Sequence, residues 1–133
     1  MIEPDPTVTR FVRGVVRAEL ARGGGASHAA VAQRTVTQVH EALSKLIGPA
    51  GVDVLLARSL VLARRAHPVL AEITAGPHGA LAGLDDAARD GSALEEATVA
   101  VLSHFVQLLI LLIGEDLAMR LVREVWPAVM EEK

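Results

Sequence analysis

The chain contains no cysteine and no tyrosine. Without a thiol it forms no disulfide framework, binds no metal through thiolate and uses no cysteine nucleophile. Its three aromatic rings are Phe11, Phe105 and Trp126. That is a poor supply for nucleic-acid recognition, which stacks bases on aromatic platforms. Lysine is scarce as well: apart from Lys45 and Lys133, every basic residue is arginine. The longest apolar stretch, residues 99–113, is interrupted by Ser103, His104 and Gln107. It falls short of the roughly 20 residues of a membrane span and suits a core or interface helix better. The first residues, Met1-Ile2-Glu3-Pro4-Asp5-Pro6, lack the basic start and apolar run of a secretory signal, so a cytoplasmic location is expected.

What is present is apolar and aliphatic. Of 133 residues 51% are hydrophobic, enough to exclude disorder and to build one core. The expectation is a single all-helical domain spanning 1–133. Charge is unevenly placed. Residues 1–65 carry nine basic and five acidic groups, and residues 66–133 carry four and eleven. Such asymmetry favours antiparallel self-association or a charged partner, although composition alone also produces it.

Five helical segments emerge from apolar residues recurring at the 3.6 period, and strand alternation is absent. The first runs from about Thr7 to Arg22, with Asp5 as cap and Pro6 at its first position. Gly23-Gly24-Gly25 ends it. The second starts at Ser27 and stops before Gly48-Pro49, a turn short enough to make its neighbour antiparallel. The third, about Val52 to Ala66, is apolar around most of its girth and ends near His67-Pro68. Val69 to Ile73 adds a turn at most. Thr74 to Gly91 reads as a Gly-rich loop folded over the bundle, with a helical turn at Asp85 to Asp90. A capping box, Ser92-Ala93-Leu94-Glu95, opens the fourth segment, which continues to Ile113. The fifth is Glu115 to about Trp126, followed by Pro127 and a charged tail. Carried through Gly114, the wheels of the last two segments point their apolar arcs in opposite directions. Either Gly114 breaks the helix, or one long helix threads between two partners.

Few residues carry chemistry. The five histidines (28, 40, 67, 78 and 104) make no HExxH pattern and no i, i+4 pair, so no metal site or cofactor is expected. His67 and His78, with Asp85 or Asp86, are the weak exception. No Gly-rich phosphate loop and no GxSxG nucleophile motif occurs. Ser103, His104 and Gln107 form a polar cluster on an otherwise apolar helix. They serve either as hydrogen-bonding groups across helices or a dimer axis, or as the lining of a ligand pocket. Glu19 sits in the apolar arc of the first segment and, if buried, needs a cation such as Arg58. Arg10, Arg13 and Arg17 form a basic stripe, more typical of a solvated face than of a nucleic-acid site. An exposed His40 on a helical bundle would resemble the phosphotransfer domains of two-component signalling. Those domains follow the histidine with Lys at the third position and then Gly, and neither His40-Glu41-Ala42-Leu43 nor the residues after His104 fit.

These observations make a non-enzymatic helical interaction or regulatory module the leading expectation. It would act as a homodimer, with a further protein partner possible. Leu108, Leu109 and Leu112 are the expected interface, and nucleic acid and membrane are not expected as partners. The alternatives are a small-molecule-binding bundle with a pocket near His104 and Gln107, and phosphotransfer at His40.

Overall fold

In the computed structural model, residues 4–22 and 27–126 are described. They form a helical bundle with a small two-stranded hairpin on one side. The elements in order are α1 (Pro6–Arg22), α2 (His28–Ile47), α3 (Pro49–Arg64), a 3-10 turn (Pro68–Leu70), β1 (Thr74–Ala75), a second 3-10 turn (Pro77–Gly79), β2 (Leu81–Ala82), α4 (Leu84–Ala87), α5 (Gly91–Ile113) and α6 (Glu115–Val125). The Gly23-Gly24-Gly25 stop and the tail beyond Trp126 lie outside the described residues.

Local chemistry explains most of the boundaries. Asp5 caps α1 by accepting from Thr7 N at 2.8 Å, and Ser27 caps α2 by accepting from Ala30 N at 3.0 Å. Gly48 takes a positive φ between α2 and α3, and α3 begins directly at Pro49, three residues before the expected Val52. Two boundaries differ more. α5 starts at Gly91, and its cap is Asp90, which accepts from Ala93 N at 3.0 Å; the Ser92 capping box is not used. The loop also contains a strand pair, Thr74 opposite Ala82 and Ala75 opposite Leu81, which the absence of alternation did not foretell.

The core has two connected parts. One gathers Val12, Val15 and Val16 of α1, Val39 and Leu43 of α2, Val52 and Leu56 of α3, and Leu102, Phe105 and Leu109 of α5. The other joins Leu60 and Ala63 of α3 to Leu94, Ala97 and Val101 of α5 and to Leu70, Ile73 and Leu84 of the hairpin segment. Early α3 thus meets late α5, and late α3 meets early α5, so the two helices run antiparallel. Aliphatic side chains of moderate size fill these layers, and full burial of each contributes about 1.5–3 kcal/mol. α5 is the one helix among the described residues with the length and hydropathy of a membrane span, and half of its most apolar window is buried within the bundle.

Gly114 resolves the choice posed by the opposed apolar arcs. Its φ of 93° and ψ of 154° stop α5 at Ile113 and redirect the chain into α6. α6 then folds back with Ala118 and Val122 fully buried. Trp126 closes the corner: its indole Nε1 donates to Gln38 Oε1 at 3.0 Å, and its ring lies 6.4 Å from that of Phe11. Because this backbone region is open essentially to glycine alone, Gly114→Ala should undock α6. The expected readout is a red shift of the emission of the single tryptophan with the melting of α1–α5 preserved. An unshifted spectrum contradicts this assignment.

Candidate functional site

The polar cluster expected on α5 does not converge on a site. Ser103 is 1% exposed, and its Oγ has no hydrogen-bond partner among the described residues. A buried hydroxyl in that state is a net cost to stability. Gln107 faces the start of α1, where its Oε1 accepts from Asp5 N at 3.0 Å and ties the N-terminal end of the bundle to α5. It lines a cleft of about 190 Å³ at the α1–α5–α6 corner with Asp5, Ile110 and Glu115. His104, one 100° step from Ser103 on the wheel, is buried as well. The expected pocket shared by His104, Gln107 and the hairpin is therefore absent from the described residues.

A narrow cavity does exist elsewhere. It lies beneath the hairpin, between Val36 of α2, Leu56 and Leu60 of α3, Ile73 and Leu81 of the hairpin segment and Val101 of α5. Its volume is about 30 Å³. The one polar side chain on its wall, Thr98, donates its hydroxyl to Leu94 O at 2.8 Å. An apolar cavity stays dry, and one that holds benzene needs about 150 Å³. This one is a packing gap rather than a ligand chamber.

The densest polar network centres on His40. His40 is 4% exposed, so the surface histidine required for phosphotransfer is not there. Its Nε2 lies 2.8 Å from Asp53 Oδ1, and its Nδ1 lies 3.2 Å from Ser44 Oγ. The consistent assignment has Nε2–H donating to the carboxylate and the Ser44 hydroxyl donating to Nδ1. Ser44–His40–Asp53 follows the order of a hydrolytic relay, but a relay needs an accessible nucleophile beside oxyanion donors. Here His40 itself is buried between α2 and α3 beneath the hairpin tip, while Asp53 and Ser44 are half-buried, and no oxyanion donors stand beside Ser44 among the described hydrogen bonds. Gly79 packs so closely that a Cβ there would sit 3.2 Å from that of His40, and the His78 ring meets His40 edge-on at 5.9 Å. The network fastens α2, α3 and hairpin together.

Two further side chains hold the hairpin. Gln33 acts as a surrogate strand: its Nε2 donates to Gly79 O at 2.8 Å, and its Oε1 accepts from Leu81 N at 2.9 Å. Arg64 donates from Nε to Leu70 O and from Nη2 to Ile73 O. Neither clamp was foreseen, because both bond to backbone far away in sequence. No group of three or more His, Cys, Asp or Glu among the described residues is placed to hold a metal, and this includes the His67–His78 combination.

Glu19 is buried, at 6% exposure, but Arg58 is not its partner. α1 packs on α2 and α5, so Glu19 meets Arg34 of α2 at 3.2 Å and Arg22 of its own helix at 3.5 Å. The basic stripe of α1 is partly neutralised within the molecule, with Arg13 bound to Glu96 and Arg17 3.7 Å from Glu95. Part of the charge asymmetry is thereby internal.

Arg58 instead belongs to an outward face. Val54, Ala57, Arg58, Val61 and Arg65 recur at helical spacing on α3, and all are exposed. Val54 is 67% exposed, and on α5 Leu111 and Leu112 are 63% and 60% exposed. Leu108 is half-buried. Leu109, expected at an interface, is fully buried in the chain's own core. The expected leucine triad is thus divided: Leu109 faces in, Leu108 is half-buried, and Leu112 is exposed in the last turn of α5.

The clamps predict a local effect. Gln33→Ala should speed amide hydrogen exchange across 74–84 by about tenfold, the equivalent of losing roughly one hydrogen bond's worth of stability, about 1.4 kcal/mol. Exchange in the middle of α5 should stay unchanged. Equal acceleration in both regions contradicts a hairpin held by its own clamps.

No protein-family model, curated protein or solved structure matches the chain.

Proposed function

We propose that the protein is a helical interaction module that works by assembling through the outer face of α3 and α5, without chemistry of its own. The observation that supports this reading is the exposure of Val54, Leu111 and Leu112. Isolated apolar side chains on a surface are ordinary, but several large ones on two helices that pack together support a contact surface. The composition fits the same purpose. α5 spends most of its girth on the core, and its last turn leaves Leu111 and Leu112 exposed.

Several of the polar side chains are engaged within the fold. His40, Asp53 and Ser44 bond to one another, Gln33 and Arg64 to the hairpin backbone, and Gln107 to the start of α1. The ligand-binding alternative expected His104 and Gln107 on one pocket; Gln107 lines the cleft at the α1–α5–α6 corner, whose wall does not include His104, and the gap beneath the hairpin is only about 30 Å³.

Sedimentation equilibrium tests the reading. The wild-type chain should exceed the monomer mass, and Leu111→Lys should return it to the monomer with its helix content and melting unchanged, because that side chain supports no core contact. A wild-type chain that remains monomeric at every concentration contradicts the proposal.

A further inference from the structure

We infer that the cleft at the α1–α5–α6 corner binds a small α-amino acid with an aliphatic side chain. This site is separate from the proposed assembly face and does not depend on it. The assignment follows from the size of the cleft and from the polar groups on its wall that remain unengaged.

Size limits the ligand first. The cleft measures about 190 Å³, room for about six water molecules at the roughly 30 Å³ each occupies in the liquid. Pockets for drug-sized molecules begin near about 300 Å³. A nucleotide or a large cofactor is therefore too big, and a molecule of a few carbons fits.

Charge then selects the class. Arg123 and Glu115 both line the cleft. They stand eight residues apart on α6, about 12 Å along the axis at 1.5 Å per residue, and Met119 lies midway between them on the same wall. Neither has an ion-pair partner among the described residues, whereas Arg13, Arg17, Arg22, Arg34 and Arg89 all have one. The third charged group on the wall, Asp5, is already committed, because its Oδ1 accepts from Thr7 N to cap α1. What remains is one guanidinium and one carboxylate. A purely anionic ligand would meet repulsion from Glu115, and a purely cationic one from Arg123. A zwitterion satisfies both, with its carboxylate on the Arg123 fork and its ammonium on Glu115.

The rest of the wall suits such a molecule. Gln107 Oε1 is held by Asp5 N, which leaves the Nε2 amide without a partner among the described residues and able to donate to a carboxylate. Val8, Ile110 and Met119 form the apolar part of the wall, where an aliphatic side chain leaves water. The bound molecule touches α1, α5 and α6 together, so its binding stabilises the docking of α6 in proportion to its free concentration.

Amide NMR titration of the full chain with glycine, L-alanine, L-valine and L-leucine tests the site. L-Valine at millimolar concentration should give saturable shifts at Thr7, Met119, Arg123 and the Gln107 side-chain amide. Two matched controls each lack one charge: isobutylamine has no carboxylate, and 3-methylbutanoate has no ammonium. Each should bind at least about tenfold more weakly than L-valine, as should L-valine to Arg123→Gln and to Glu115→Gln, since each change removes a charged hydrogen-bond partner. Leu111→Lys, which alters only the proposed assembly face, should leave the titration unchanged. The inference is overturned if none of the four amino acids shifts these residues. It is equally overturned if either control binds as tightly as L-valine, or if both α6 variants bind L-valine as the wild type does.

Discussion

The burial of one side of α5 is the constraint on which the rest of the bundle depends. α1, α2, α3 and α6 all pack against it. Leu94, Ala97, Leu102, Phe105, Val106 and Leu109 are at most 1% exposed. A single polar substitution at their centre would remove a contact shared by several helices at once. The shortage of aromatics has a structural counterpart: only Phe105 supplies a ring to the middle of the core, and the remaining layers are Leu, Val and Ala. Such a core depends on close approach of helices, and side-chain volume there is tightly constrained.

The hairpin segment adds directional polar contacts to its packing against the early turns of α5. The hairpin buries Leu70, Ile73 and Leu84 in the second core cluster. Gln33, Arg64 and the His40–Asp53 pair fix its position. Hydrogen bonds of this kind contribute modestly in net terms but are costly to leave half-made. They account for the polar side chains found at inward positions of α2. The ion pairs between α1 and α5 play the same positioning part at the opposite edge, where net stabilisation by exposed pairs is small.

Much of the architecture was legible because helices declare themselves locally. Periodicity, Asp5 and Ser27 as caps, and the Gly48-Pro49 turn located the long helices to within a few residues. The failures share a cause, which is dependence on a neighbour that sequence does not name. The two-residue strands have no period to detect, and Gln33 completes them from another helix. Glu19 announced its need for a cation, but the neighbour of α1 is α2 rather than α3, so Arg34 answers instead of Arg58. Asp90 outcompetes Ser92 because it lies one position before the first helical residue, where a cap belongs. On α5, apolar around most of its surface, one 100° step decides whether a leucine faces the core or the rim, and composition carries no information about that step. His40 at the edge of an apolar arc was equally ambiguous, and Asp53 across the turn settled it inside.

The same asymmetry of α5 connects fold and function in this account. Its core-facing residues are covered by the chain's own helices, while Leu111 and Leu112 in its last turn stay exposed, and these are the residues through which the proposed assembly would form. The most direct test is a concentration series of methyl NMR spectra of the wild-type chain, from dilute to concentrated. The account predicts shifts or broadening confined to Val54, Leu108, Leu111 and Leu112, with Leu102 and Leu109 unmoved. Spectra that do not change with concentration, or changes centred on the hairpin, would contradict it.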